Sequence, residues 1–231
     1  LVGSEMCIRD RKYPVTSILL ILTTLVFVGM LILRGFSYAE AQTVFEFGAV
    51  YSPTIIMNPI QIWRLFSAIF VHIGLEHFVV NVITLYFIGR QAEDIFGSRN
   101  FFLLYMMSGL MGNIFVFFFS PDTLSAGAST ALFGLFASIV TLQYVVRDSY
   151  IQQLGQSYMT LIVVNIIFSF MPSISLAGHL GGLIGGILCA VILPIKGSSN
   201  AFKPAQRWLV LFGYLALAAL LIFLGFHHSL I

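Results

Sequence analysis

Charge is what this chain has least of. Asp, Glu, Lys and Arg make up 9% of its 231 residues, against roughly 25% in a soluble domain. With 59% of its residues hydrophobic, it cannot clothe a globular core in solvated surface. That excludes the one or two soluble domains its length would otherwise suit. The net charge of +2 is too small to suggest nucleic-acid binding. Cysteine is equally sparse: Cys7 sits in the basic N-terminal tail and Cys189 in an apolar run. No disulfide framework or metal-ligand spacing follows from them, so neither a metal nor a cofactor is expected.

In place of charge there is one apolar run after another. A bilayer span needs about 20 largely apolar residues. Seven stretches qualify or nearly qualify: about 15–33, 74–92, 101–119, 127–146, 157–171, 177–195 and 208–226. The sequence therefore predicts an all-α polytopic membrane protein with about seven transmembrane helices. The fifth stretch is short and ends at Pro172, which predicts a tilted or incomplete crossing. Residues 1–13 read as a tail; residues 1–11 lack an initiator Met and a clear pattern and do not enter the fold reading.

The few cations are placed unevenly. Arg9, Arg11 and Lys12 precede the first span, Arg90 and Arg99 separate the second from the third, and Arg147 follows the fourth. Lys196, Lys203 and Arg207 separate the sixth from the seventh, leaving only Arg34 and Arg64 on the opposite side. Lys and Arg collect in cytoplasmic loops, so nine against two predicts a cytoplasmic N-terminus. The long loop 34–70 is too apolar for a linker and too polar to span. It is expected to lie in the interface, with Trp63 and Arg64 at headgroup level. Glu93 is expected to cap locally or to pair with Arg90 or Arg99.

Polar residues inside spans are costly and mark function by default. His77 and Asn81 are four apart and share one helix face of the second span; the plain alternative is an interhelical hydrogen bond. The fourth span opens with Gly127-Ala128-Ser129-Thr130, by itself more often a packing motif than a nucleophile site. The sixth carries His179 at the top of a glycine stripe, Gly178, Gly182 and Gly186, flanked by Gly181 and Gly185. Without side chains there, another helix can approach to backbone contact. Ser108, Gly109 and Gly112 give the third span a small-residue packing face. The seventh span reads as an appended helix.

Even-numbered spans run inward from the outer side in this topology. His77, Asn81, Ser129 and His179 all fall near the outer starts of such spans, at one depth, given about 1.5 Å of rise per residue. Serine becomes nucleophilic when a base takes its proton, and histidine is the usual base. With no carboxylate at this depth, a Ser129–His179 dyad is expected instead of a triad. His77, Asn81 and the Ser129 backbone N–H are the candidate oxyanion donors, aided by the positive end of the fourth helix.

These residues carry a resemblance. Trp63-Arg64, His72, His77 and Asn81, Gly89/Glu93/Gly97, Tyr105 with Ser108-Gly109 and Gly112, Gly127-Ala128-Ser129, and His179 with Gly182 and Gly186 together resemble the rhomboid intramembrane serine proteases. The match covers about residues 44–195. The resemblance implies a six-helix catalytic core, here 14–195, followed by a linker and one extra C-terminal helix in 196–231. It implies cleavage of transmembrane protein substrates within the lipid bilayer, with Ser129 as nucleophile, His179 as base, and His77 and Asn81 supporting the oxyanion. His72, Phe133 and Gly127 are further site-lining candidates. A multi-pass protein of a bacterial plasma membrane, its site towards the extracytoplasmic side, is the matching localisation.

The chain departs from the family pattern in carrying Thr130 after the serine and Gly178 before the histidine. Phe133 stands where a tyrosine is frequent, keeping an aromatic face for the base without its hydroxyl. Two other classes fit less well. A rhomboid-like pseudoprotease that binds transmembrane helices without cutting would not need both Ser129 and His179. A proton channel would need ionisable residues continuing through the inner half of these spans.

Overall fold

A computed structural model describes residues 12–170, 174–196 and 201–227. Seven long helices account for most of it: α1 (Pro14–Arg34), α2 (Leu75–Phe96), α3 (Ser98–Phe119), α4 (Ser129–Leu142), α5 (Ser149–Phe168), α6 (Leu176–Ile192) and α7 (Pro204–His227). No strand forms among the described residues. Helices α1, α3 and α7 are long and apolar enough to cross a bilayer, and α4 and α6 are shorter apolar helices. The chain is an all-α membrane bundle. Arg9, Arg11, Cys7, Pro172 and His228 lie outside the described residues.

Two helices depart from the expected lengths. α5 is not short: it begins at Ser149 and runs for 20 residues, about 30 Å at 1.5 Å per residue. Its first two turns hold Gln152, Gln153, Gln156 and Ser157, which lower hydropathy without breaking a helix. Asp148 starts it by accepting the backbone N–H groups of Tyr150 and Ile151 at 2.9 and 3.0 Å, a standard N-cap. The short helix is α4, with 14 residues, or about 21 Å against a hydrocarbon core of about 30 Å. Twelve of those 14 residues are buried. Protein surrounds α4 on every side, so it need not match the bilayer.

Glycine lets the neighbours of α4 come close. A Cβ on Gly182 or Gly186 would collide with the backbone carbonyl of Thr130 or Gly134, respectively. On the adjacent face of α6, a Cβ on Gly185 would meet Ser108 Cα at 3.0 Å, and one on Gly181 the Met111 carbonyl at 2.8 Å. The expected stripe therefore serves two helices, α4 through 178/182/186 and α3 through 181/185. On α3, Ser108 and Gly112 answer it against Gly134 and Thr130. Helix α7 is appended to this core, its Tyr214 hydroxyl donating to the Met107 carbonyl at 2.9 Å and its Gly225 facing Phe117.

Glu93 does neither of the things expected of it. Its carboxylate accepts the backbone N–H groups of Val15 (3.1 Å) and Thr16 (2.9 Å) and the hydroxyls of Thr16 and Ser98 (both 2.7 Å). The residue caps α1 from 77 residues away and is 3% exposed. A carboxylate at a helix N-terminus satisfies orphan donors and complements the dipole. Glu93→Gln leaves these donors facing an amide and is expected to cost about 2–3 kcal/mol, since hydrogen bonds to a charged group contribute roughly 1.5–3 kcal/mol each. Thermal unfolding in detergent micelles measures it.

Arg64 is likewise corrected. It is 6% exposed, donates to the carbonyls of Phe45 (2.6 Å) and Ala49 (3.2 Å) and to Gln61 (2.9 Å), and lies over the Phe45 ring. It braces the loop from inside instead of reaching headgroups. Met57, Ile60, Ile62, Trp63 and Phe66 are exposed apolar residues of that loop. The loop is also tied to the site: Val50 and Ser125 exchange backbone hydrogen bonds, Asn113 donates to the Leu65 carbonyl, and the Gly127 N–H donates to the Ala68 carbonyl.

Candidate active site

The chain enters α4 through a turn that only glycine suits. Gly127 has φ +139°, a region that L side chains rarely adopt. A Cβ there would also strike the His77 ring, 2.5 Å from Cε1, and would lie 3.6 Å from Ser129 Oγ. Gly127 thus brings His77 of α2 against the turn that presents Ser129.

His72 holds that turn from behind. It is fully buried; its Nε2 accepts the Ala128 N–H at 3.3 Å, and Nδ1 faces the Phe70 carbonyl at 3.3 Å. The two partners fix the tautomer: Nδ1 carries the proton and donates to Phe70, Nε2 accepts from Ala128. His72 is 5.2 Å from His77, ring centre to ring centre. It shapes the site without lining its open side.

Ala128 provides no side-chain cap for α4. The first N–H groups of the helix, Ser129 among them, are therefore free to meet a developing negative charge at the positive end of the dipole. Ser129 is half-buried, and its hydroxyl has no hydrogen-bond partner among the described residues. Asn81 is buried, and its amide donates to the His77 carbonyl at 2.7 Å. That leaves its second amide proton unassigned.

One turn after Ser129, on the same face of α4, Phe133 stacks flat on His179, with ring centres 4.0 Å apart and planes at 16°. The aromatic face expected for the base is there. The backbones agree, because Thr130, next to Ser129, contacts both Gly178, next to His179, and Gly182, one turn on. Thr130 itself points into this helix contact and is 4% exposed; its Cβ is 2.6 Å from where a Gly112 side chain would begin. The β-branch is accommodated beside glycine and stays out of the open side of the site.

Sequence reasoning missed Ser169. This residue ends α5, is 2% exposed, and places its Oγ 2.6 Å from His179 Nδ1. The signal available was its position: it follows the last turn of α5, which meets the first turn of α6. Nδ1 being engaged, Nε2 is the ring nitrogen left for Ser129, although the two side chains are not hydrogen-bonded in this structure. Catalytic hydrogen bonds commonly tighten only with substrate in place. Contrary to the expectation of no carboxylate at this depth, Glu76 precedes His77 in the first turn of α2; it is exposed and joins none of these contacts. An apolar cavity of ≈ 500 Å³ lined by Ala137, Thr141, Met159 and Leu183 lies along the C-terminal turns of α4, away from these contacts.

Comparison with known proteins places the arrangement. Residues 59–196 match the Rhomboid domain. The chain is 32% identical over 225 residues to "Rhomboid protease GluP" of Bacillus subtilis, covering 97% of this chain and 43% of that protein. It is 30% identical over 166 residues to "RHOMBOID-like protein 1" of Arabidopsis thaliana, covering 71% and 42%. With "Rhomboid-like protease 3" of Toxoplasma gondii it shares 31% identity over 150 residues, covering 63% and 56%. The chain thus spans about half the length of these relatives. The matched segment runs from the bracing loop to the end of α6 and contains every residue described above at the starts of α2, α4 and α6. The chain is an integral membrane protein that belongs to the rhomboid family.

Proposed function

We propose that this chain is an intramembrane serine endopeptidase that cuts peptide bonds in or near the transmembrane segments of other membrane proteins. Ser129 Oγ attacks the scissile carbonyl carbon as its proton passes to His179 Nε2. The oxyanion forms at the uncapped start of α4, within reach of the Ser129 N–H, His77 and Asn81. When the C–N bond breaks, Nε2 returns the proton to the leaving amine, and water then hydrolyses the ester by the same route in reverse. The observation that carries this reading is the stack of Phe133 on His179, which holds an imidazole beside the turn presenting Ser129.

A substrate segment enters sideways from lipid between α2 and α5, whose Val80, Ile83, Val163 and Ile167 are exposed and whose inner halves are tied by Tyr158 and Gln91. The membrane is a bacterial plasma membrane and the site faces its outer side. A fluorophosphonate probe tests the nucleophile: Ser129 Oγ displaces fluoride from phosphorus only if a base activates it. Labelling of the folded chain that disappears in Ser129→Ala is expected. Absence of labelling in folded wild type would favour a helix-binding role without cleavage.

A further inference from the structure

The Ser169 hydroxyl lies between two partners. It donates to the Asn165 backbone carbonyl at 2.7 Å and meets His179 Nδ1 at 2.6 Å. A hydroxyl has one proton, and the Asn165 carbonyl can only accept. Turning the Ser169 proton towards Nδ1 would leave two oxygen atoms 2.7 Å apart with no proton between them, at a residue 2% exposed, where water cannot screen their repulsion. The proton therefore goes to Asn165, Ser169 accepts from Nδ1–H, and the lone pair of His179 stands on Nε2. The backbone of Ser169 fixes the same geometry, its N–H donating to the Asn165 carbonyl at 2.9 Å.

We infer that Ser169 is a positioning residue that sets the tautomer and the orientation of His179, doing with a neutral hydroxyl what a carboxylate does in a triad. This deepens the proposed proteolytic reading and rests on it. Before reaction, the hydroxyl keeps the proton on Nδ1 and the base on Nε2. When Nε2 takes the Ser129 proton, Nδ1–H goes on donating to Ser169, so nothing in this arm rearranges during the step. Phe133 restrains the ring from one face and Ser169 from its edge. Because Ser169 ends α5 and His179 begins α6, the base is held in register with the last turn of α5.

Two readouts test the inference on the full chain. The first is 15N NMR of histidine-labelled protein in bilayers, with the His179 signals identified by their loss in His179→Asn. Wild type is expected to show an unprotonated Nε2 and a protonated Nδ1. Ser169→Ala is expected to show a mixture of tautomers, and Ser169→Thr, which restores a hydroxyl, the wild-type pattern. The second is steady-state cleavage of a single-span reporter. Ser169→Ala should lower kcat by about 10- to 100-fold with KM unchanged, short of the ~10⁴-fold that a wrong tautomer costs a Ser–His–Asp triad; Ser169→Thr should recover most of it. A His179 tautomer unchanged in Ser169→Ala overturns the inference, whatever happens to thermal stability, and so does an unchanged kcat. If wild type cleaves no reporter, the proteolytic reading fails, and the NMR result alone still decides what Ser169 does to His179.

Discussion

His179→Ala is expected to lower cleavage by on the order of 10⁴-fold or more, with KM nearly unchanged, because the loss falls on the chemical step. Serine is a weak nucleophile at its ordinary pKa and depends on an adjacent base. Among the described residues no other base is placed to serve: His72 spends both ring nitrogens on the Phe70 carbonyl and the Ala128 N–H, and His77 lies against Gly127. The substitution also leaves a space between Phe133 and Ser169, so some loss of stability accompanies it. His179→Asn, which still offers an amide to Ser169, separates the two effects. It should fold better than the alanine variant and be just as inactive.

Gly182→Ala is expected to be nearly as damaging, although the residue touches no substrate. Its Cβ would collide with the Thr130 carbonyl, with the Thr130 Cα only 3.3 Å away. Backbone cannot swing aside as a side chain can, so α4 and α6 must part. Ser129 adjoins Thr130 on one helix, and His179 is one turn before Gly182 on the other, so the two reacting groups part as well. A displacement of about 1 Å can cost roughly 100-fold, and overpacking costs about 1–3 kcal/mol of stability. Gly213→Ala on α7 is the control. Nothing lies within 4 Å of its Cβ position, and alanine there should stabilise the helix by roughly 0.5–1 kcal/mol. Gly182→Ala should therefore lose both cleavage and thermal stability, while Gly213→Ala gains stability and leaves cleavage unchanged.

The parts of this fold legible in the sequence were those that hydropathy and spacing encode directly. Apolar runs located seven helices to within a few residues, except at the start of α5, where glutamines lowered hydropathy while the helix continued. Spacing of four showed that Gly178, Gly182 and Gly186 form one stripe, and nothing but a neighbouring backbone could use it. Which neighbour received which glycine was not legible, and Gly181 and Gly185 turned out to serve α3. Charge placement put Ser129, His77 and His179 at the starts of alternate helices facing one side, and the contacts of Gly127 and Phe133 bring these helix starts together. Long-range pairing was hidden. Glu93 has basic residues nearby in sequence, yet its partners are the first N–H groups of α1, and nothing local announces a cap supplied from 77 residues away. Arg64 reads as a surface cation because arginine usually is one; only the folded loop supplies the carbonyls that let it be buried. Ser169 stayed silent because a serine at a helix end is ordinary until His179 is placed beside it.

The proposed function requires Ser129 to cut a membrane-embedded peptide bond. The most direct measurement reconstitutes the purified full chain in liposomes with a panel of single-span reporters and maps the fragments by mass spectrometry, wild type against Ser129→Ala. Two fragments are expected from at least one reporter, cut in or near its span towards the outer end, and none with Ser129→Ala. Equal cleavage by both proteins, or no cleavage of any reporter by folded wild type, would contradict it.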